Sequence, residues 1–318
     1  LAHPARLRAA ALVGLLAGMA PDLDVLIRSS EDPLLFLEYH RQFTHSLFFI
    51  PLGAAIVAML CHWLFARRWQ LPFRLTLAFA LLGYATHALL DACTSYGTLL
   101  LWPFSDKRFS WDTVSVIDPL VSLPLILLVL AAAKWRRRSL AALAVAWVLG
   151  YQFLGYAQQQ RALDAAQQLA LQRGHSPGDV IARPGFGNIL LWRTLYLHEG
   201  RYYADGVFAG RRLRLYAGES IPALDTRRDF PWLDPASQQA LDITRFHWFS
   251  QGYTAVSREA PDRIIDVRYA MLPTGVEGLW GIQLQRSAAP TAHAAYVVSR
   301  ELPPGVLARF WLMLRGKG

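Results

Sequence analysis

Five apolar runs crowd into the first half of this chain, at residues 9–27, 47–66, 75–93, 117–133 and 139–157, and a set of His and Asp residues, His62 apart, gathers at the same end of the first three. Each run reaches, or nearly reaches, the roughly 20 helical residues that cross a bilayer's hydrocarbon. Leu47 to Ala66 is the clearest, with His62 as its sole ionisable residue. Five such helices in a soluble fold would lack the polar surface needed to cover them. The first half therefore reads as an α-helical polytopic membrane domain of about five helices. A carboxylate at a bilayer's centre costs roughly 2.5–3.5 kcal/mol. Charged groups on three apolar segments thus need a reason, and a shared metal ion is the most economical.

Composition changes near Gln158. The full chain of 318 residues is 54% hydrophobic and 17% charged, more apolar than ordinary soluble domains, yet residues 158–318 read like a soluble domain. Two domains follow: 1–157, membrane-embedded with the candidate metal site, and 158–318, a connecting helix and a small β-rich (α+β) soluble domain. Arg6 and Arg8, then Arg67, Arg68 and Arg74, then Lys134, Arg136, Arg137 and Arg138 occupy alternate loops. Basic loops stay cytoplasmic, so loops 22–44 and 94–116 and the C-terminal domain are expected to face outward. That predicts a multi-pass protein of the bacterial inner membrane with its C-terminal domain in the periplasm. The net charge of +9 is then largely a topology signal. No basic stripe interleaved with aromatics is present, so nucleic-acid binding is not expected.

The acidic Pro21-Asp22-Leu23-Asp24 and the lack of a small-residue cleavage site argue that the first run is retained rather than removed as a signal peptide. The chain opens on Leu1, which leaves room for an initiating segment ahead of it. Cys61 and Cys93 fall near opposite membrane faces and have no zinc-thiolate spacing, so both are expected as small buried hydrophobes.

The chemistry-bearing residues form three groups. His87 and Asp91, four apart, share one face of a helix. Asp22 and Asp24, two apart after the helix-stopping Pro21, face the same way if the segment is extended. His40 and His45 bracket the start of the second run, where Thr44 or Ser46 is a plausible N-cap. Between them Arg41 offers a planar fork suited to a phosphate or carboxylate oxygen. Imidazoles and carboxylates make a donor set that suits Zn²⁺, Mn²⁺ or Fe²⁺. Thr94, Tyr96, Ser105, Asp106 and Arg108 could support the site or hold a headgroup, and Asp118 could be a ligand or a helix cap. Each group also has a bland alternative: a local hydrogen bond, a solvated loop or a cap.

The motifs Pro21-Asp22-Leu23-Asp24, His40-Arg41-x-x-Thr44-His45-Ser46 and His87-x-x-x-Asp91-x-x-Thr94-x-Tyr96-Gly97, then Pro103-Phe104-Ser105-Asp106 and Ile117-Asp118-Pro119, resemble the LexA-regulated, YdjM/YbcI-type inner-membrane proteins. These are described as membrane-bound metal-dependent hydrolases. The resemblance covers about residues 10–155, and extends distantly to zinc-dependent phospholipase C and P1-type nucleases. It implies a cluster of two or three zinc ions that hydrolyses phosphoesters, with Asp24, His45, His87 and Asp91 as ligands and His40 and Asp22 next. Asp22 or Asp24 would be the base and Arg41 the charge stabiliser. The resemblance also implies a Thr-His helix ahead of the first motif, which this chain does not show; His3 in Ala2-His3-Pro4 does not match it.

A phosphoester or lipid-like substrate at the outer membrane face follows from this, with membrane lipids as partners; the oligomeric state stays open. Two other functions compete: a metal or proton transporter, and a non-catalytic membrane protein that binds partners through its β domain. A transporter should spread ionisable groups through the bilayer depth. Beyond Gly174 the pattern turns to short strands at 188–197, 201–208, 211–216, 244–256, 263–270 and 281–285, while His175, His198, His247 and His293 lack ligand spacing.

Overall fold

The computed structural model describes residues 4–299, 301 and 303–318; His3 lies outside the described residues. The chain divides into two units, one of Leu1–Arg28, Glu38–Trp111 and Val121–Leu149, the other of Ser29–Leu37, Asp112–Leu120 and Gly150–Gly318.

In the first unit, α1 (Pro4–Met19) and α3 (Ile50–Cys61, continued by a π turn to Ala66) pack along α4 (Phe73–Ala92). Small residues face inward: Ala9, Ala17, Ala54, Ala58, Ala80 and Ala88 are all fully buried. Large ones face outward, with Leu15 57% and Leu82 63% exposed. A water-soluble fold hides its leucines. This arrangement is that of bilayer helices, which gain little by hiding leucine from lipid and gain contact by bringing backbones close. At the closest approach, a Cβ added to Gly83 would lie 2.3 Å from the Gly14 carbonyl oxygen.

The expected count of about five membrane helices is not what the structure supports. Among the described residues, only α4 and α6 (Arg138–Gln172) are long and apolar enough to cross, or three spans if Leu35–His45 and Ile50–Ala66, bent by 82°, are taken as one broken span. The run at 9–27 is cut because Pro21 has no N–H to continue α1; residues Pro21–Leu26 form a 3₁₀ turn instead. That turn also overturns the extended reading of Asp22 and Asp24. Helix α5 (Pro119–Trp135) has 17 residues, with Pro124 inside it. The short α2 (Leu35–Tyr39) and a 3₁₀ turn (Phe43–His45) precede α3. Thr44 and Ser46 do not cap α3, whose N-cap is Phe49 without a side-chain bond.

In the second unit, antiparallel strands β1 (Val180–Pro184), β2 (Leu191–His198), β3 (Arg201–Ala209) and β4 (Leu213–Tyr216) pair in order, and β5 (Ser220–Pro222) joins β3. A second antiparallel sheet contains β6 (Thr254–Val256), β7 (Arg263–Asp266), β8 (Trp280–Gln283) and β9 (Ala295–Val298). Glu199 and Gly200, both at positive φ, make the two-residue turn that keeps β2 and β3 in register. Leu195, Tyr202, Ile221, Ile265 and Val267 share a core. The segment expected as a strand over 244–256 is helix to Phe249 and strand only at Thr254–Val256. The Ser237 hydroxyl accepts from the Ala240 N–H at the start of α8 (Gln238–Phe249), and Gln239, Asp242, Ile243, Phe246 and Phe249 bury one helical face. Two further helices are α7 (Thr226–Asp229) and α9 (Val306–Leu314).

Gly83→Ala is expected to cost about 1–3 kcal/mol through overpacking against α1, seen as a lower thermal midpoint in detergent. Gly150→Ala, with nothing within 4 Å of the added carbon, should leave that midpoint unchanged or raise it.

Candidate metal centre

Three chain segments converge within the first unit. The 3₁₀ turn after α1 carries Asp22 and Asp24, the segment before α3 carries His40, Arg41, Thr44 and His45, and the last turns of α4 carry His87 and Asp91. One donor atom from each of Asp22, His45, His87 and Asp91 lies within 4.8 Å of the other three. His45 Nε2 is 3.1 Å from His87 Nε2 and 3.1 Å from Asp91 Oδ2. Asp22 Oδ1 is 3.6 Å from His45 Nε2 and 3.5 Å from His87 Nε2, and His87 Nε2 is 3.5 Å from Asp91 Oδ2. A zinc ion holding N and O donors at about 2.0–2.2 Å in a tetrahedron separates them by roughly 3.3–3.6 Å. Three of the separations fall in that range, the two of 3.1 Å are slightly shorter, and Asp22 and Asp91 offer donors within 4.8 Å of each other.

Asp91 supplies a second test. Its Oδ2 is buried and lies 3.0 Å from Arg41 Nε, 3.1 Å from His45 Nε2 and 3.5 Å from His87 Nε2, yet none of these close contacts is an aligned hydrogen bond. A buried, unsatisfied carboxylate oxygen is costly unless something else occupies its lone pairs, and a cation among these four residues would do so.

Asp24 stands behind this group. Its side chain is fully buried, and Oδ2 accepts from the Arg41 backbone N–H at 2.9 Å and the Thr44 hydroxyl at 2.7 Å. Oδ1 is 2.7 Å from His40 Nδ1. His45 Nδ1 lies 2.9 Å from Thr44 Oγ1 and 3.3 Å from Asp24 Oδ2. With that nitrogen engaged, Nε2 is left to face His87 and Asp91, as in sites where a carboxylate orients a ligating histidine. Asp24 and His40 also form a second grouping with Asp22, so Asp22 is common to both.

Hydrogen bonds from His45 and then His87 hold the Asp22 carboxyl well below the usual carboxylate range against a partial burial penalty. For Asp24 burial is the largest influence and pushes upward. The bonds from His40, His45 and Thr44 together outweigh it and keep this carboxyl low as well. Both are anionic at neutral pH, the state a cation needs.

Arg41 is buried and has a left-handed backbone, φ 62°, a conformation that costs a non-glycine residue about 1–3 kcal/mol and persists only when its surroundings fix it. They do so here. Its N–H goes to Asp24, its carbonyl accepts from the Leu99 N–H at 2.9 Å, and its Nη1 donates to Thr94 Oγ1 at 2.9 Å. Its guanidinium lies 5.1 Å from the Tyr96 ring centroid.

Thr94 and Tyr96 therefore sit beside the cluster. Arg108 instead donates to the Gly97 carbonyl, and Ser105 accepts from the Lys107 N–H. Asp118, in the other unit, accepts from the Leu120 N–H and the Tyr151 hydroxyl, a helix-capping role at α5. Thr44 is the functional residue that sequence reasoning assigned elsewhere. Its adjacency to His45 was the available signal, but the partner Asp24 is twenty positions away.

Thr44→Val should lower stability by about 1–3 kcal/mol, because Asp24 loses a donor while remaining buried. Thr44→Ser should retain most of it, both read from unfolding midpoints of the detergent-solubilised chain.

The model of the YdjM inner membrane protein family matches residues 1–162. Inner membrane protein YbcI of Escherichia coli (strain K12) is 37% identical over 111 residues, which cover 32% of this chain and 60% of that relative. No solved structure matches the chain.

Proposed function

The chain belongs to the YdjM inner membrane protein family, and we propose that it is a metal-dependent hydrolase acting on a phosphoester or lipid-like substrate at the periplasmic membrane face. The observation that carries this reading is the convergence of one donor atom from each of Asp22, His45, His87 and Asp91 to within 4.8 Å of one another, at separations close to those around a tetrahedral ion. Zinc is the ion this nitrogen and oxygen set suits best. Asp24 and His40 with Asp22 make a donor set for a second ion, which matches the two or three ions the resemblance implies. That second position requires the 2.7 Å His40–Asp24 bond to be given up, so the first fills more readily.

A divalent ion there would supply Lewis acidity towards a phosphoryl oxygen and an acidified water. The side chains supply the rest. Asp22, with its side chain 54% exposed, is the one of the four donors that a water or phosphoryl oxygen would displace, leaving the ion on His45, His87 and Asp91 with an open position and the freed carboxylate to accept a proton from the nucleophile. Asp24, enclosed by its donors, orients His45. Arg41 steadies Asp91 and adds positive potential where a phosphate's charge would develop. Membrane lipids are the partners this location offers, and the topology we infer is multi-pass with a periplasmic C-terminal domain.

Transport is the competing function. A conduit would need ionisable groups along the helices, whereas the Asp and His residues His40, His45, His87, Asp91, Asp22 and Asp24 collect at one end and Arg6, Arg8 and Arg74 lie at the other. His62, 3.4 Å from Thr76 Oγ1, stands apart near the start of α4. The clustering favours an edge site over a path.

Elemental analysis of the purified chain after zinc loading and desalting tests the reading. At least one zinc per chain is expected, with stoichiometry falling sharply in His87→Ala and Asp91→Ala and unchanged in Asp118→Asn. A metal-free wild-type chain under these conditions would overturn it. Asp24→Asn should keep the four donors but weaken zinc binding by about 10–100-fold through misorientation of His45. Hydrolysis of bis(p-nitrophenyl) phosphate or phosphatidylglycerol should disappear with chelator and return with zinc. Zinc bound without turnover of either would reject the hydrolase while keeping the site.

A further inference from the structure

The second unit carries a group of cations with no anionic partner among the described residues, at one end of its first sheet. Arg211 and Arg212 form the turn between β3 and β4, and Arg315 and Lys317 follow α9; all four are exposed. No Asp or Glu occurs from Gly206 to Gly218 or from Pro303 to Gly318. None of the four makes an ion pair among the described residues. The tail after α9 is fixed beside the turn. Arg214 donates to the carbonyls of Gly316 and Gly318, and the Tyr216 hydroxyl donates to that of Lys317.

Helix α6 places this end relative to a bilayer. Gln158 Nε2 donates to the Ala209 carbonyl, and the Arg161 guanidinium donates to the carbonyls of Ala209 and Gly210. The β3–β4 turn is thereby pinned against residues 158–161. Just before them on the same helix come Phe153, 72% exposed, and Leu154 and Tyr156, 50% and 52% exposed. These belong to the apolar stretch of a candidate span. Five residues of α-helix rise about 7.5 Å, a headgroup's distance from Phe153 to Gln158.

We propose that the β3–β4 turn and the tail after α9 form a basic collar around α6 that seats the second unit on anionic phospholipid headgroups. Leu213 and Leu215, 47% and 38% exposed, alternate with the basic positions and meet the upper acyl region, as amphipathic interfacial elements do. The occupant is a lipid surface because the cations are unpaired, lie together and flank a helix at the point where its apolar stretch ends. This inference does not depend on the metal centre.

Hydrogen exchange of the full chain in nanodiscs tests it. Each basic side chain near an anionic surface changes association by roughly fivefold, so the segment 208–216 should exchange on the order of tenfold more slowly in discs containing phosphatidylglycerol than in phosphatidylcholine alone. The Glu199–Gly200 turn, at the other end of the β2–β3 hairpin, should not change. Arg211→Gln combined with Arg212→Gln, or 0.5 M salt (roughly a 4 Å screening length), should return the segment to its phosphatidylcholine rate. Equal wild-type exchange in the two lipids would overturn the proposal without any variant. Protection that appears only in discs holding two copies would replace it with self-association.

Discussion

One buried carboxylate, Asp24, organises the first unit's polar end. It lies on the turn after α1 and accepts from the backbone of Arg41, the hydroxyl of Thr44 and the ring of His40. An ionised carboxylate taken out of water is tolerable only when its oxygens are filled, and here the donors all come from one segment, residues 40–45. That demand fixes where the segment runs. Once it is fixed, the His45 ring has one nitrogen facing inward and the other facing α4, and the alignment with His87 and Asp91 follows. The geometry of the candidate centre is thus a consequence of satisfying a carboxylate outside it.

The helices beneath obey a different constraint. Alanine and glycine line the contacts among α1, α3 and α4, and leucine covers the outside. Close backbone approach is what brings the end of α1 and the end of α4 near enough for Asp22 to stand 3.5 Å from His87. With bulkier residues in the seam, helix axes would separate by an ångström or more, and the four donors would no longer match one ion. Helix packing and metal geometry are one requirement expressed at two depths.

Much of this was legible in the residues. The His87–Asp91 pair declares itself by its four-residue spacing, and the polar motifs were placed at one end of the apolar runs. What spacing could not give was the backbone of the two connecting turns. Asp22 and Asp24 look like strand neighbours by sequence, yet Pro21 starts a 3₁₀ turn that sends one to the surface and the other inside. Hydropathy counted five runs because it registers apolar content and not breaks in the helix. The stretch 244–256 misled because its aromatic residues suit either period, and the Ser237 cap that decides for helix lies upstream. Strands β2, β3, β4, β7 and β8 were readable from alternation and turn residues.

The left-handed turn at Arg41 gears two parts of the first unit together. Its amide, carbonyl and guanidinium point to three different places, namely Asp24, Leu99 and Asp91. A peptide clamped at three points cannot hinge at one of them. Displacing the loop that contains Leu99 would drag both carboxylates with it, so that side of the cluster is held rigid. Asp22, its side chain 54% exposed, is the flank of the four donors that no such clamp holds and that meets solvent.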